Sequence, residues 1–200
     1  LSERAERVRN RMVDSSVDNM LLITNDGRKL ALDQRLINPM LPDDESGKVS
    51  ACAKNVFEIW QRTAEQKSTQ MVFCDLSTPH NDGNFNVYDG IRDKLLDMGI
   101  PKDQIAYIHN AASEAQKKEL FGKVRSGEIR VLIGSTQKMG AGTNVQKKLI
   151  ALHHVDCPWR PSDLQQREGR IIRQGNENPE VEIYTYVTEN TFDSYLYQMV

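Results

Sequence analysis

The sequence predicts an α/β protein in which a parallel sheet is covered by helices on both faces and preceded by a helical arm. From residue 48 onward, short apolar segments alternate with longer helical ones, which is typical of strand–helix–strand units. Capping patterns mark the starts of several of the helices. Apolar residues make up 38% and charged residues 27% of the chain, so a globular protein is expected. Its 200 residues are enough for one domain with an appended arm.

The predicted elements follow one another without a long gap. The predicted strands are Met71–Cys74, Gln104–Ile108, Arg130–Gly134, Leu149–Val155 and Val181–Val187. The predicted helices around them are Lys48–Glu65, Asn86–Met98, Ser113–Arg125 and Ser162–Arg173. Two of these helices open with a capping-box pattern, Ser113 with Gln116 and Ser162 with Gln165. Asn190 is expected to cap a last helix.

Residues 1–46 differ from the rest and are predicted to form a helical arm leading into a domain over residues 47–200. Ser2–Val13 is an arginine-rich helical stretch whose arginines are expected to form a solvated face. Asp26-Gly27 is a turn signal. Pro42 to Gly47 marks a loop at the boundary.

Charge, cysteine content and hydropathy exclude several classes of protein. The net charge of −2 argues against a uniformly basic nucleic-acid-binding domain, so such binding must come from a local patch. The three cysteines lie far apart, which argues against a disulfide framework or a zinc ribbon and fits the cytoplasm. No run of eighteen apolar residues is present, so no membrane span is expected.

The segment from Ser135 to Asn144 follows a predicted strand and is rich in glycine and hydroxyl residues. Ligands of open α/β sheets bind at the carboxyl ends of strands, and small residues there let a phosphate approach the backbone closely. The segment is not a Walker A motif, because Gly140 is not followed five residues later by Gly-Lys. It is not a complete dinucleotide fingerprint either, because Val145 stands where the third glycine would be. A plain structural turn remains the alternative.

A second segment places one amide and two guanidinium groups on one face of a predicted helix. Gln166, Arg170 and Arg173 are spaced four and three residues apart, and fixed guanidinium groups suit the charge that develops in phosphoryl transfer. The alternative is an ordinary solvated face. His153 and His154 point to opposite faces of a strand, so no metal site is expected there.

Together the segments resemble conserved motifs of superfamily-two helicases. Gln166–Arg173 resembles motif VI, and Ser135–Asn144 resembles motif V in the form found in Snf-type DNA translocases. Met71–Cys74 followed by Ser77 resembles motif IV. Segments such as Cys157–Pro161 and Thr191–Asp193 are similar to the helicase part of large DNA methylase–helicase proteins of bacterial mobile elements and phages. Trp159, in the first of these segments, is expected to pack over the start of the arginine-containing helix.

The resemblance implies the second RecA-like domain of a DNA helicase or translocase. ATP with magnesium would then bind between this domain and an N-terminal RecA-like domain of the same chain, which carries the Walker A lysine and the Walker B acids. Arg170 and Arg173 would be arginine fingers. The resemblance further assigns nucleotide binding to Gly142, Asn144, Gln166 and Arg167. Arg167 matches a family arginine that pairs with acids in the cleft.

The resemblance also implies partners and leaves two other functions open. Ser135, Thr136 and Lys138 match positions near the DNA backbone, and Ser77 is a weaker match. An attached DNA methylase domain is a further expected partner. This chain by itself is expected to be inactive, because the phosphate-binding lysine and magnesium-binding acids are not visible in it. A free-standing Rossmann-like nucleotide-binding enzyme and a catalytically idle interaction module are the alternatives.

Overall fold

A five-stranded parallel sheet forms the centre of the computed structural model, which describes residues 1–139, 144–158, 160–169, 174–188 and 198. The strands are β1 (Thr69–Phe73), β2 (Ile105–Tyr107), β3 (Val131–Gly134), β4 (Leu149–His154) and β5 (Glu182–Thr185). Their order in the sheet is β2-β3-β1-β4-β5, and every neighbouring pair is parallel.

Helices connect these strands and form the arm. Within the described ranges they are α1 (Ser2–Arg9), α2 (Met20–Leu32), α3 (Lys48–Arg62), α4 (Val87–Met98), α5 (Glu114–Ser126) and α6 (Pro161–Glu168). Short 3₁₀ turns lie at Gln34–Leu36, Lys102–Gln104, Ile108–Asn110 and Gln146–Lys148. Across the described part of the chain, none of the helices has both the length and the apolar composition needed to cross a bilayer.

The two faces of the sheet carry separate apolar cores. Successive strand residues point to opposite faces. Val72 of β1 therefore joins one core, with Ile91 of α4 and residues of α3. Its neighbours Met71 and Phe73 join the other core, with Val124 of α5. This arrangement confirms the predicted parallel sheet with helices on both faces.

One of the two predicted capping boxes is confirmed and the other is wrong. At α5, Ser113 Oγ accepts a hydrogen bond from the Gln116 amide at 3.1 Å, and Gln116 Oε1 accepts one from the Ser113 amide at 3.2 Å. Helix α6 instead begins at Pro161, with Arg160 as its N-cap and no side-chain cap. Proline has a fixed φ suited to the first helical position, and here it starts the helix ahead of Ser162.

In the arm, the turn expected at Asp26-Gly27 is wrong, because both residues lie inside α2. The Asn19 side chain caps this helix by accepting a hydrogen bond from the Leu22 amide at 3.0 Å. Leu32 at the other end is buried in the first core. Capping and burial thus outweigh the cost of about 1 kcal/mol for a glycine inside a helix.

The sequence predicts a solvated arginine face for α1, but not all of its arginines are solvated. The helix ends at Arg9, earlier than the predicted Val13. The Arg4 guanidinium donates to Asp18 at 2.9 Å and to Asp26 at 2.7 Å, so it joins α1 to α2. Arg7 and Arg9 remain exposed.

A buried histidine joins the middle of the sheet to its edge. His153 Nε2 lies 2.8 Å from Gln70 Oε1, and its Nδ1 lies 2.8 Å from the Tyr186 hydroxyl. The Gln70 amide donates to the Val56 carbonyl, which leaves its oxygen as an acceptor. Nε2 must then donate, and in the neutral imidazole Nδ1 accepts a hydrogen bond from the Tyr186 hydroxyl.

Acid should destabilise the fold through this histidine. Burial, with a smaller effect of the neighbouring His154, lowers the pKa of His153 to about 3. In the unfolded chain the imidazole takes up a proton near its ordinary pKa of about 6.5. Stability is therefore complete above that value and is lost as the pH falls toward 3. Between pH 7 and pH 5 we expect this histidine to account for a loss of about 2 kcal/mol in the free energy of unfolding.

Urea unfolding at the two pH values measures this contribution. The His153→Gln variant should lose about 2 kcal/mol less than the wild type over the same interval. The exposed Asn10, changed to Gln, is the control and should keep the wild-type pH dependence. An equal pH dependence in all three proteins would contradict a buried, neutral His153.

Candidate functional site

Polar residues follow three neighbouring strands at the carboxyl edge of the sheet. Asp75 follows β1, Ser135 and Thr136 follow β3, and Asp156 follows β4. Because β3, β1 and β4 are adjacent and parallel, these residues meet at one edge. This is the edge where open α/β sheets bind ligands.

A single guanidinium group joins these strand ends to α6. Arg167 is fully buried. Its Nη2 lies 2.9 Å from Asp75 Oδ2 and 2.8 Å from Asp156 Oδ1. Its Nε donates to Thr136 Oγ1 at 2.8 Å, and its Nη1 donates to the Asp156 carbonyl at 2.9 Å. We call Arg167 with Asp75, Thr136 and Asp156 the Arg167 cluster.

The carboxylates of the Arg167 cluster are also held by their own neighbours. Asp156 Oδ2 accepts hydrogen bonds from the Asp75 and Leu76 amides at 2.8 and 2.7 Å. Asp75 accepts bonds from the amide and the hydroxyl of Thr136, both at 2.7 Å. Every strand end in the cluster is therefore fixed to the next one, as a buried ion pair requires if desolvation is to be offset.

The electrostatics keep this pair charged. Burial would raise the pKa of Asp156, but the charge and hydrogen bonds of Arg167 hold the pKa of that carboxyl below its ordinary value. Burial likewise opposes the charge on Arg167, yet the two aspartates raise its pKa. Burial and the Arg167 charge lower the pKa of the adjacent His154 to about 3, so this histidine is neutral.

A polar groove of about 860 Å³ opens beside the cluster. Two exposed cationic residues, Lys138 and Arg160, lie along it, and the backbone amide of Lys138 donates to Ser135 Oγ at 3.2 Å. Lysine and arginine side chains with hydroxyl groups are the donors that phosphate groups accept. The lining residues are Asp75, Thr78, His109, Ser135, Thr136, Gln137, Lys138, Arg160, Asp163 and Gln166.

The structure brings together four of the residues singled out from the sequence. Ser135, Thr136, Lys138 and Gln166 all line the groove. Gln166 and Lys138 are exposed, whereas Ser135 and Thr136 are largely buried. The Thr136 hydroxyl is already engaged by Asp75 and Arg167 within the cluster.

Three other predicted residues occupy different positions. Arg167, assigned to the nucleotide side, is enclosed in the cluster, where it pairs with two aspartates. Ser77 is buried, and its Oγ accepts a hydrogen bond from the Val87 amide at the start of α4 at 3.0 Å. Asn144 is exposed, and its carbonyl accepts a bond from Arg125 at 2.7 Å.

Several predicted features lie outside the described residues. They are Gly142, Trp159, Arg170, Arg173 and the segment from Asn190 to Asp193. Their predicted roles stay predictions.

Sequence reasoning missed the two aspartates that hold Arg167. Asp75 and Asp156 each stand two residues after a buried strand, and a charged residue at that point is the available signal. Among the residues with described positions, no group of three or more histidine, cysteine or acidic side chains is placed to hold a metal ion.

Comparison with known proteins gives a family match and several distant relatives. The model of the family described as "Helicase conserved C-terminal domain" matches residues 49–175. Over 92 residues the chain is 28% identical to "Defense against restriction protein B" of Escherichia phage P1. Over 84 residues it is 36% identical to "Uncharacterized ATP-dependent helicase YqhH" of Bacillus subtilis (strain 168). These matches cover 45% and 42% of this chain but only 4% and 14% of the relatives' lengths.

Solved structures are similar in fold. The C-terminal part of the Fun30 ATPase domain has a TM-score of 0.58 at 18% identity, covering 80% of this chain and 47% of that one. The helicase MrfA bound to DNA and AMPPNP has a TM-score of 0.51 at 15% identity, covering 73% of this chain and 19% of that one. At these identities the likeness shows the fold alone, which is the predicted RecA-like α/β fold.

Removing the buried guanidinium should destabilise the chain strongly. In Arg167→Met, Asp156 would remain buried without its charged partner, which typically costs about 3–5 kcal/mol. The free energy of unfolding in urea measures the loss. The exposed Arg9, changed to Met, is the matched control and should stay within about 0.5 kcal/mol of the wild type. A loss below about 1 kcal/mol in Arg167→Met would contradict the role of the cluster.

Proposed function

Because this chain belongs to the helicase conserved C-terminal domain family, we propose that it is the C-terminal motor domain of an ATP-dependent DNA helicase or translocase. The observation that carries the proposal is the Arg167 cluster, which holds α6 against the ends of three strands beside a groove lined by Lys138 and Arg160. The whole protein's reaction would need an N-terminal RecA-like domain, and the chain spans only a small share of its relatives' lengths.

The proposed ATP site is shared between the two domains. Gln166 lies at the groove, while Arg167 on the same helix points into the protein, so α6 turns one face outward. Arg170 and Arg173 follow Gln166 by four and seven residues. We assign them as arginine fingers on this spacing and on the resemblance to motif VI, since guanidinium groups stabilise the charge of the transferred phosphoryl group.

The other nucleotide assignments differ in their support. Gln166 is exposed at the groove and is proposed to contact the nucleotide. For Gly142 and Asn144 the support is the resemblance to motif V. The buried position of Arg167 favours an indirect role in which it holds α6 and does not touch ATP. ATP would supply the phosphoryl group, and magnesium would neutralise part of its charge. We propose that the N-terminal domain makes most of the contacts to both.

The groove is also proposed to meet the DNA backbone. Lys138 is the best supported contact, because its side chain is exposed and cationic. Ser135 lies next to it, and Thr136 would contribute through the strand end that it fixes. Ser77 has the least support, since its hydroxyl is buried and accepts a bond from α4.

We also propose a biological setting for the parent protein. Similarity to a phage protein named for defence against restriction supports a protein carried by a mobile element. On the sequence resemblance, we propose that this protein is a large methylase–helicase that acts in the cytoplasm. An attached DNA methylase domain remains part of this proposal.

Replacing either proposed arginine finger should abolish most ATP hydrolysis by the full-length protein. Arg170→Ala and Arg173→Ala should each lower turnover at saturating DNA by about 10³-fold or more, because fingers stabilise the transition state. Phosphate release measures turnover, and the melting temperature shows whether the variant is folded.

The control is Arg9→Ala, an exposed arginine of α1 that should keep wild-type turnover. If both finger variants hydrolyse ATP within threefold of the wild type, a solvated surface helix is the better description. ATP turnover by the wild-type protein in the same assay would exclude the alternative of a catalytically idle interaction module.

Removing the Lys138 charge should weaken DNA binding equally for all sequences. A backbone contact carries no base information, so Lys138→Gln should lower the slope of log affinity against log salt by about 0.9 for the one phosphate lost. Fluorescence anisotropy of the full-length protein with DNA over a salt series gives the slope. Lys118→Gln, an exposed lysine of α5, is the control. An unchanged slope in Lys138→Gln would argue against this contact.

A further inference from the structure

The N-terminal arm reaches the segment that connects β4 to α6, and this contact has a consequence for the proposed motor. We propose that Arg28 of the arm is a positioning residue, which sets the placement of α6 through the carbonyl of Cys157. The inference rests on the proposed function, because α6 carries Gln166 and Arg167 and leads to the proposed fingers.

The contact is buried and distant in sequence. Arg28 lies in α2 and is 8% exposed. Its Nη2 donates to the Cys157 carbonyl at 2.8 Å, across 129 residues of chain. A hydrogen bond from a charged donor in a site with little water is about twice as strong as a neutral one. Cys157 follows Asp156 of the Arg167 cluster and precedes α6 by a few residues.

A second buried cation holds the same segment. Lys48, at the start of α3, is 6% exposed, and its Nζ donates to the Val155 carbonyl at 3.3 Å. Between these two carbonyls, Asp156 binds Arg167 through its side chain and its own carbonyl. Three consecutive residues are thus held by three cationic side chains, and only one of these, Arg28, comes from the arm.

The arm is itself fixed well enough to act as a support. The Ala31 carbonyl, three residues beyond Arg28, accepts a hydrogen bond from Thr188 Oγ1 at 2.8 Å. Leu32 belongs to the same apolar core as Val155 and Tyr186. These contacts lie just beyond β5 and at the end of β4, so Arg28 projects from a helix that is anchored to the sheet.

The physical consequence is a loss of rate rather than of binding. Displacing catalytic groups by about 1 Å can lower a rate by about 10²-fold even when the change lies far from the chemistry. Groups that act mainly in the transition state affect kcat more than KM. Without the Arg28 contact, the segment before α6 loses one of its three cationic supports. The placement of α6 then becomes less exact, and kcat should fall while ATP still binds.

The test uses the full-length protein with saturating DNA. Arg28→Met keeps the aliphatic stem and removes the donors, and Arg28→Gln keeps a neutral donor that is too short to reach. Both should lower kcat for ATP by about 10- to 100-fold while KM changes less than about twofold. Arg28→Lys, which retains a charged donor, should recover at least a third of the wild-type kcat. Arg9→Met, an exposed arginine of the same arm, should match the wild type.

The outcomes separate this inference from the proposed function. A folded Arg28→Met or Arg28→Gln with wild-type kcat overturns the inference, and Arg28→Gln decides it if the Met variant does not fold. A change in KM alone also overturns it. So does a fall in kcat in the Met and Gln variants that Arg28→Lys shares. Failure of the proposed function would show differently, as wild-type turnover in Arg170→Ala and Arg173→Ala.

Discussion

The structure depends most on the buried charge of Arg167. A guanidinium without water is costly, and two carboxylates, a hydroxyl and a carbonyl offset that cost here. None of these groups can be moved without leaving another one unpaired. The ends of three strands and the end of α6 are therefore parts of one unit, and the groove beside them keeps its shape for the same reason.

The order of the strands makes this unit possible. β1 comes first in the chain but lies in the middle of the sheet, between β3 and β4. The ends of these three strands therefore bring together Asp75, Thr136 and Asp156. A helix that follows β4 can then insert one arginine among all three strand ends, while its neighbour Gln166 remains at the groove.

The arm belongs to this arrangement more closely than its place in the sequence suggests. It precedes the residues that match the helicase family, yet Arg28 contacts the segment after β4 and Leu32 lies in the first core. On the proposed function, a change in the arm's position would be transmitted to the arginine-bearing helix through the Cys157 carbonyl.

The sequence by itself determined the α/β class, the five strands and the helices α3, α4 and α5 within a few residues, and two of the segments that line the groove. These follow from local patterns in the chain. The alternation of apolar and helical segments, the capping residues and the spacing of Gln166 from Arg170 are all properties of residues close in sequence. Only the tertiary structure decided that Asp26-Gly27 continues a helix, that Thr136 and Arg167 are buried, and that Asp75 and Asp156 hold the arginine. The last two of these outcomes depend on which strands lie side by side, because the hydrogen bonds behind them join residues 31, 61 and 81 positions apart.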